Sequence, residues 1–402
     1  MSGALIEELR ARFPRVAVVH EWLTIPGGSE QVVVELLEMF PHAELFTSIY
    51  NPTPTSAPWP ATIAQRQVHA SYLSRLPWAR SHYRRLLPLM DRAYRAFDLS
   101  GFDLILSSNH ACAKNVRTPP GALHVCYCHT PMRYAWDANF LDGEEEVGRL
   151  TRLALPLLLS RLRRQDLRGA ESPDVLVANS RHVAARIERF YGRTAEVVHP
   201  PVDVEHFLGL PRAGSEGAGA HAASGMAAGA GGANANAFYL VFGRVVPYKR
   251  VDLAVAACAR LGVPLKVAGD GRALAAVRAA TPPGADVEFL GHVSQRERDE
   301  LLSAARALLF PGEEDFGIVP VEAQAVGLPV VAYGVGGARE TVQDGRTGVL
   351  FAEQTTDDMA VAIERFTELR FEEPQLRAGA ARFGRERFHA EMAAVIARAA
   401  SA

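Results

Sequence analysis

The sequence predicts an α/β protein made of two doubly wound parallel-sheet units in series. Three observations carry that expectation. Short runs of β-branched and aliphatic residues alternate with helix-forming segments, as buried parallel strands and their crossovers do. The alternation breaks after Arg212 and restarts at Phe238. A chain of 402 residues also exceeds what one ordinary core holds.

In the first unit, Arg15–His20 (R-V-A-V-V-H) is a short β-branched run suited to a strand buried on both faces. Gly27-Gly28-Ser29 follows, with Ser29 as the expected N-cap of a helix from about Glu30 to Phe40. Glu44–Ile49, Asp103–Ser107, Leu123–Cys128 and Val175–Ala178 read as further strands, and Asn179-Ser180 leads into a helix over Arg181–Tyr191. Ala213–Ala237 is almost entirely Gly, Ala, Ser and Asn. It offers too little apolar surface to offset its ordering entropy, so a disordered insertion is expected there.

The second unit reads as strands over Phe238–Phe242, Pro264–Ala268, Val287–Leu290, Ala307–Phe310, Pro329–Tyr333 and Gly348–Phe351. Helices fall between them at Val251–Leu261, Arg272–Ala280 and Gln295–Ala305. The expected division is 1–200, a linker with the insertion over 201–237, 238–375, and terminal helices over 376–402 that cross back to the first unit. Ligands of such sheets bind at the carboxyl ends of the strands, so a site in a cleft between the units is expected.

Composition narrows the function classes. A net charge of −2 supplies no general attraction to nucleic acid. Four cysteines (Cys112, Cys126, Cys128 and Cys258) are too few for a disulfide framework in a chain this long. Cys126 and Cys128 would share one face of a strand as buried free thiols, which suits a reducing cytoplasm. Met1–Arg15 mixes acids, arginines and apolar residues, so no signal peptide is expected. No apolar run reaches membrane-spanning length.

The most informative stretch is Gly312–Gly327, G-E-E-D-F-G-I-V-P-V-E-A-Q-A-V-G, with Glu314 and Glu322 eight residues apart. A helix over Phe316–Val326 would separate the two carboxylates by roughly 12 Å, about the length of a sugar diphosphate plus a ribose. Its start around Phe316, Gly317 and Ile318 would turn backbone N–H groups toward an anion. Gly243-Arg244-Val245-Val246-Pro247-Tyr248-Lys249-Arg250 follows the first strand of the second unit. Two cations there, Arg244 and Lys249, can neutralise a diphosphate without a metal. Gly27 and Gly28 allow close backbone approach to an anion. Gly269-Asp270-Gly271, Gly291-His292 and Gly336-Gly337 are turns at further strand ends. His129, in C-Y-C-H-T-P, closes a strand of the first unit and is able to hydrogen-bond a sugar hydroxyl.

Glu314 and Glu322 resemble the paired-glutamate signature of retaining glycosyltransferases of the GT-B fold, glycosyltransferase family 4. Gly243 to Lys249 resembles that family's G-R-x-x-x-x-K element. Gly336-Gly337-Ala338-Arg339-Glu340 resembles its Gly-Gly-x-x-Glu element, and V-D-x-x-x-F ending at Phe207 its interdomain segment. The run H-T-P-M-R-Y-A-W-D from His129 resembles members that build bacterial surface polysaccharides. The resemblance implies an acceptor-side first unit and a nucleotide-sugar-binding second unit. It implies that Arg244 and Lys249 hold the leaving diphosphate, Glu314 the donor hexose and Glu322 the ribose, with His129 on the acceptor side. Gly27, Gly28, Gly243, Gly269, Gly291, Phe316, Gly317 and Ile318 would line the donor. GDP-mannose is the implied donor, a saccharide or polyprenyl-linked saccharide the acceptor, and an α-mannoside the product. No cofactor and no metal are expected, since no Asp-x-Asp motif stands in either candidate site.

Other readings remain at this level. A non-hydrolysing sugar-nucleotide epimerase has a similar two-domain fold, and a non-catalytic sugar-nucleotide-binding protein would show the same loops. A dinucleotide oxidoreductase is disfavoured, because neither unit carries G-x-G-x-x-G after its first strand. Two stretches, Ser71–Phe97 and Arg149–Arg168, each hold six arginines and one acid. They read either as peripheral contacts with an anionic membrane on its cytoplasmic face, or as amphipathic core helices with solvated arginines.

Overall fold

The computed structural model describes residues 2–54, 57–137, 149–212 and 238–401, so the Gly/Ala-rich stretch 213–237 lies outside the described residues. The chain divides into two units, Met1–Pro201 with Arg385–Ala402, and Val202–Gly384.

The first unit holds strands β1 (Val16–His20), β2 (Glu44–Thr47), β3 (Val68–Ala70), β4 (Leu104–Asn109), β5 (Leu123–Cys128), β6 (Val175–Ala178) and β7 (Glu196–Val197). They form one sheet ordered β3-β2-β1-β4-β5-β6-β7, parallel throughout. The β-branched run of β1 sits in its middle because both faces are covered. Val16 and Val18 face one apolar core, and Ala17 and Val19 face the other. Cys126 and Cys128 do share a face, packed with Leu176, Val183 and Ile187. All four thiols are free and buried. Burial pushes the Cys126 thiol up to about 11 and the Cys258 thiol up to about 12, so neither is a thiolate at neutral pH.

The second unit holds β8 (Tyr239–Phe242), β9 (Leu265–Ala268), β10 (Val287–Gly291), β11 (Ala307–Phe310), β12 (Val330–Tyr333) and β13 (Gly348–Phe351). Their order is β10-β9-β8-β11-β12-β13, again parallel. Leu240, Leu308 and Val330 point to one core, and Tyr239, Val241, Leu309 and Val331 to the other. The predicted strands are all present. The edge strands β3 and β7 escaped prediction because three and two residues carry no readable period.

Three expectations need correction. The helix after β1 starts at Gly28, with Gly27 rather than Ser29 at the cap. The Ser29 hydroxyl instead donates to the neighbouring Glu30 carboxylate at 2.9 Å. The helix carrying Glu322 spans Ile318–Val326 and begins only after Gly317, whose left-handed φ of 85° a residue with a side chain rarely adopts. The return to the first unit begins at Arg385, not at 376. The helix Glu373–Ala381 stays with the second unit, where Ala380 and then Phe383 enter the core.

The last helix, Arg385–Ala399, buries Phe388, Met392, Val395 and Ile396 against Leu36 and Leu37 of the Gly28–Met39 helix. A buried carboxylate locks the pair. The Glu35 carboxylate forms ion pairs with Arg385, whose Nε lies at 2.7 Å, and with His389, whose Nε2 lies at 2.8 Å. Burial raises the Glu35 pKa, but His389 and Arg385 more than offset it and hold the carboxyl below its ordinary value. No described helix is long and apolar enough to cross a membrane.

Candidate active site

In the second unit, the loops at the carboxyl ends of β8, β9, β11 and β12 pack backbone against backbone. Gly269 follows β9 at φ 139°, and a Cβ there would lie 1.9 Å from the Gly243 carbonyl. Its N–H donates to Gly291 O at 2.7 Å, and the Gly243 N–H donates to Ala268 O at 3.0 Å. Gly336 follows β12 at φ 73° and pairs with Glu314, whose carbonyl a Cβ would approach to 2.3 Å. Gly337 N–H donates to the same carbonyl at 2.8 Å. Glycines are required here because side chains would hold the loops apart.

This contact fixes Glu314 in the loop rather than on the helix. Its carboxylate meets Lys249 Nζ at 2.7 Å, with the two side chains 21% and 16% exposed. Burial works against the Lys249 charge, but Glu314 and Tyr248 outweigh it, so the ammonium titrates above its ordinary value. Lys249 closes a short 3-10 turn, Pro247–Lys249, and Arg250 beside it takes φ 50°. Among the described residues Arg250 alone lacks glycine's freedom yet has a positive φ. Such strain is common where a turn must aim a neighbouring side chain. Gly243 leaves room for that ammonium, since a Cβ there would lie 3.3 Å from Lys249 Nζ.

Arg244 is exposed and, among the described residues, has no ion-pair partner. Of the two cations, Arg244 is therefore solvent-facing and Lys249 largely enclosed. Phe316 is buried in the core against Phe383, and Ile318 packs beside it. The Ile318–Val326 helix has no side-chain cap on its first turn. Pro320 in that turn costs no helical hydrogen bond, because first-turn N–H groups have no intrahelical partner.

The separation of about 12 Å expected for a single helix does not apply, because Glu314 and Glu322 stand on different elements. Glu322 faces Arg298 at 3.8 Å. Arg298 lies over the Phe207 ring at 4.8 Å and against Asp299 at 3.3 Å. Burial raises the Glu322 pKa, and Asp299 and Asp203 add to the rise, against Arg298 and His206.

In the first unit the ends of β1, β4 and β5 bring histidines together. Ser108 Oγ lies 2.8 Å from His129 Nε2 and 3.1 Å from His20 Nδ1. His20 Nε2 in turn lies 3.4 Å from Glu30, in the first turn of the helix that Gly27 and Gly28 begin. The His110 ring centroid is 6.4 Å from that of His129 and 6.3 Å from that of His20. Burial, and then His110 and His20, hold His129 well below the usual histidine range, so it is neutral at pH 7. Glu21, fully buried, accepts from the backbone N–H groups of His110, Ala111, Cys112 and Ala113 at 2.6–3.0 Å, which fixes the loop carrying His110. Of this constellation, sequence reasoning singles out only His129 and the two glycines. Strand-end polar runs, His20-Glu21 after β1 and Ser108-Asn109-His110 after β4, are the signal that could have found the rest.

Residues 26–206 match the model of Glycosyltransferase Family 4, and residues 231–387 match that of Glycosyl transferases group 1. The first unit thus resembles the family 4 domain, and the second unit the group 1 domain, of glycosyltransferases. A D-inositol 3-phosphate glycosyltransferase of a Nocardioides species is 33% identical over 237 residues, 52% of this chain and 49% of that one. The chain thus spans about half the length of the curated relatives it matches. Among solved structures, Anabaena HepE in complex with UDP superposes with a TM-score of 0.64 at 17% identity, over 96% of this chain and 100% of that one. Sucrose-phosphate synthase of Thermosynechococcus elongatus gives 0.66 at 19% identity, over 96% and 98%. At such identities these two carry the fold alone, which is GT-B.

Proposed function

We propose that this glycosyltransferase moves a hexose from a nucleoside diphosphate sugar to a hydroxyl of a saccharide or lipid-linked acceptor, with retention at the anomeric carbon. The observation that carries the reading is the cationic rim at the strand ends of the second unit. Arg244 stands there with no ion-pair partner among the described residues, beside a Lys249 held charged by Glu314. As the bond from the anomeric carbon to the diphosphate breaks, negative charge grows on the leaving oxygen. Two preplaced cations stabilise that charge, and such preorganised stabilisation supplies most of the rate enhancement in many enzymes. Glu314, held by the Gly336–Gly337 turn, would accept from hexose hydroxyls while keeping Lys249 in place. Glu322 would take the ribose, with Arg298 competing for it. His129, neutral and bonded to Ser108, would accept or donate one hydrogen bond to a sugar hydroxyl.

GDP-mannose is the donor proposed from the H-T-P-M-R-Y-A-W-D run beginning at His129. A UDP-sugar is the second reading, supported by the neighbour solved with UDP-glucose. An inositol phosphate belongs among the acceptors because the relatives are named for one. A panel of GDP- and UDP-sugars, with and without each acceptor, separates these by nucleotide release. GDP-mannose should release nucleotide fastest, and release should quicken with an acceptor. Interconversion of the sugar nucleotides without nucleotide release would make the chain an epimerase. Binding without either reaction would leave a sugar-nucleotide-binding protein.

A further inference from the structure

A second concave site lies in the first unit, at the opposite ends of the strands from His110 and His129. It is a groove of about 1220 Å³. Its walls are the end of the Leu87–Tyr94 helix, the segment 95–100 leading into β4, the segment 117–120 leading toward β5, and the last turns of the Arg149–Ala170 helix. Residues before β4 and β5 line it, whereas His110 and His129 follow those strands. At about 3.3 Å per residue a six-residue strand puts roughly 20 Å between the two ends. The groove is therefore separate from the candidate active site of this unit.

Six arginines line it, Arg92, Arg95, Arg117, Arg161, Arg164 and Arg168. All are exposed except Arg95, which is half-buried. Among the described residues none of their side chains has an ion-pair or hydrogen-bond partner. The groove's two carboxylates are taken by neutral donors. Buried Asp91 accepts from Asn115 Nδ2 at 2.8 Å, and Asp98 accepts from the Ser100 N–H at 3.1 Å. Ser100 alone accounts for the lowered pKa of Asp98, and no arginine contributes. Helix dipoles explain part of the arrangement, since Arg92 and Arg168 stand in the last turns of their helices. They do not explain Arg117, on a loop, or Arg161 and Arg164, farther from the helix end. Six guanidinium groups against two carboxylates leave the groove net positive, and such like charges repel and destabilise the fold unless a further anion joins them. Guanidinium forks are suited to phosphate oxygens, which they bind bidentately.

We infer that this groove is a binding site for a ligand with two or more clustered phosphates, apart from the donor and acceptor. The shared chemistry is a run of phosphate groups, supplied by a soluble polyphosphate or by packed anionic lipid headgroups. The test uses the full chain and inorganic tripolyphosphate, titrated calorimetrically at low ionic strength. Tripolyphosphate should bind at least ten-fold more tightly than orthophosphate, and binding should weaken as salt screens the contacts. Arg92→Gln with Arg95→Gln, and separately Arg161→Gln with Arg164→Gln, should each weaken it at least ten-fold. Neither pair should lower the melting temperature of the ligand-free protein, because each removes repulsion rather than a contact. The nucleotide-releasing activity should stay within about two-fold in both, which separates this site from the proposed transfer reaction. Co-sedimentation with phosphatidylglycerol vesicles, against phosphatidylcholine, distinguishes the sources. Pelleting that tripolyphosphate reverses assigns the phosphates to lipid, and tripolyphosphate binding without pelleting assigns them to a soluble ligand. Absence of tripolyphosphate binding at low salt, or equal binding by wild type and both double variants, overturns the inference.

Discussion

Removing Lys249 leaves the Glu314 carboxylate, 21% exposed, without its 2.7 Å partner. Lys249→Ala should therefore cost stability as well as turnover, about 1–3 kcal/mol for a polar group left unsatisfied. Arg244→Ala should leave the melting temperature unchanged, since Arg244 is exposed and has no ion-pair partner among the described residues. Both should lower turnover by roughly two to three orders of magnitude, the scale for losing one preorganised charge stabiliser. Thermal melts beside nucleotide-release rates check the contrast. Equal melting losses in the two variants would contradict the ion-pair account, and near-wild-type turnover in both would sink the diphosphate clamp.

Two histidines of the first unit also set a pH dependence. Burial, with Arg193 nearby, takes His124 from 6.5 down to about 3, and burial holds His129 well below 6.5. Between these folded values and 6.5 the unfolded chain binds protons that the folded one does not. Their contribution to stability is complete above about 6.5 and is lost as pH falls. The melting temperature of the first unit should thus drop between pH 7 and pH 5, and His124→Asn should flatten the slope. A melting temperature that rises on acidification would refute this.

At the scale of elements, the last helix belongs to the first unit by its packing. Phe388→Ala removes a fully buried ring from the core it shares with Leu36 and Leu37, a loss of about 3–5 kcal/mol. Calorimetry should show that loss in the first unit's transition, and an unchanged transition would mean the helix is not part of that core. The glycine rim makes a parallel demand. Gly269→Ala places a methyl 1.9 Å from the Gly243 carbonyl, which forces the β8 and β9 loops apart. Turnover should fall with the fold intact by circular dichroism, because Gly243 positions the loop that carries Arg244 and Lys249. Unchanged turnover would show that the spacing of these loops does not matter.

For the whole molecule, the cation pair predicts that activity survives EDTA, because Arg244 and Lys249 take the charge a divalent ion would carry. Complete loss on chelation, restored by magnesium or manganese, would reverse that assignment. The arginine-rich stretches resolve at this scale too. In Ser71–Phe97 the structure buries Leu86, Leu87 and Met90 in the core, and leaves Trp78 and Leu89 exposed at 44% and 47%. Arg92 and Arg95 from that stretch join Arg161, Arg164 and Arg168 from the other at one groove.

Much was legible in the sequence because it is local. Parallel strands buried on both faces must be continuous apolar runs, so the alternation, the two units and the strand-end loops could be read directly. Arg244, Lys249, Glu314 and His129 could be singled out as candidates because they stand at or soon after strand ends, and Glu322 because of its spacing from Glu314. The tertiary structure alone decided who meets whom. The Lys249–Glu314 pair, the Ser108 hydroxyl joining His20 to His129, and the Glu35 lock on the last helix each link residues far apart in the chain. So does the groove, whose arginines come from three separate segments. A period or a spacing reports the face a residue occupies within its own element. Which faces share a volume depends on how the crossovers fold the sheet, and that is where these partners, and the charges they hold, are set.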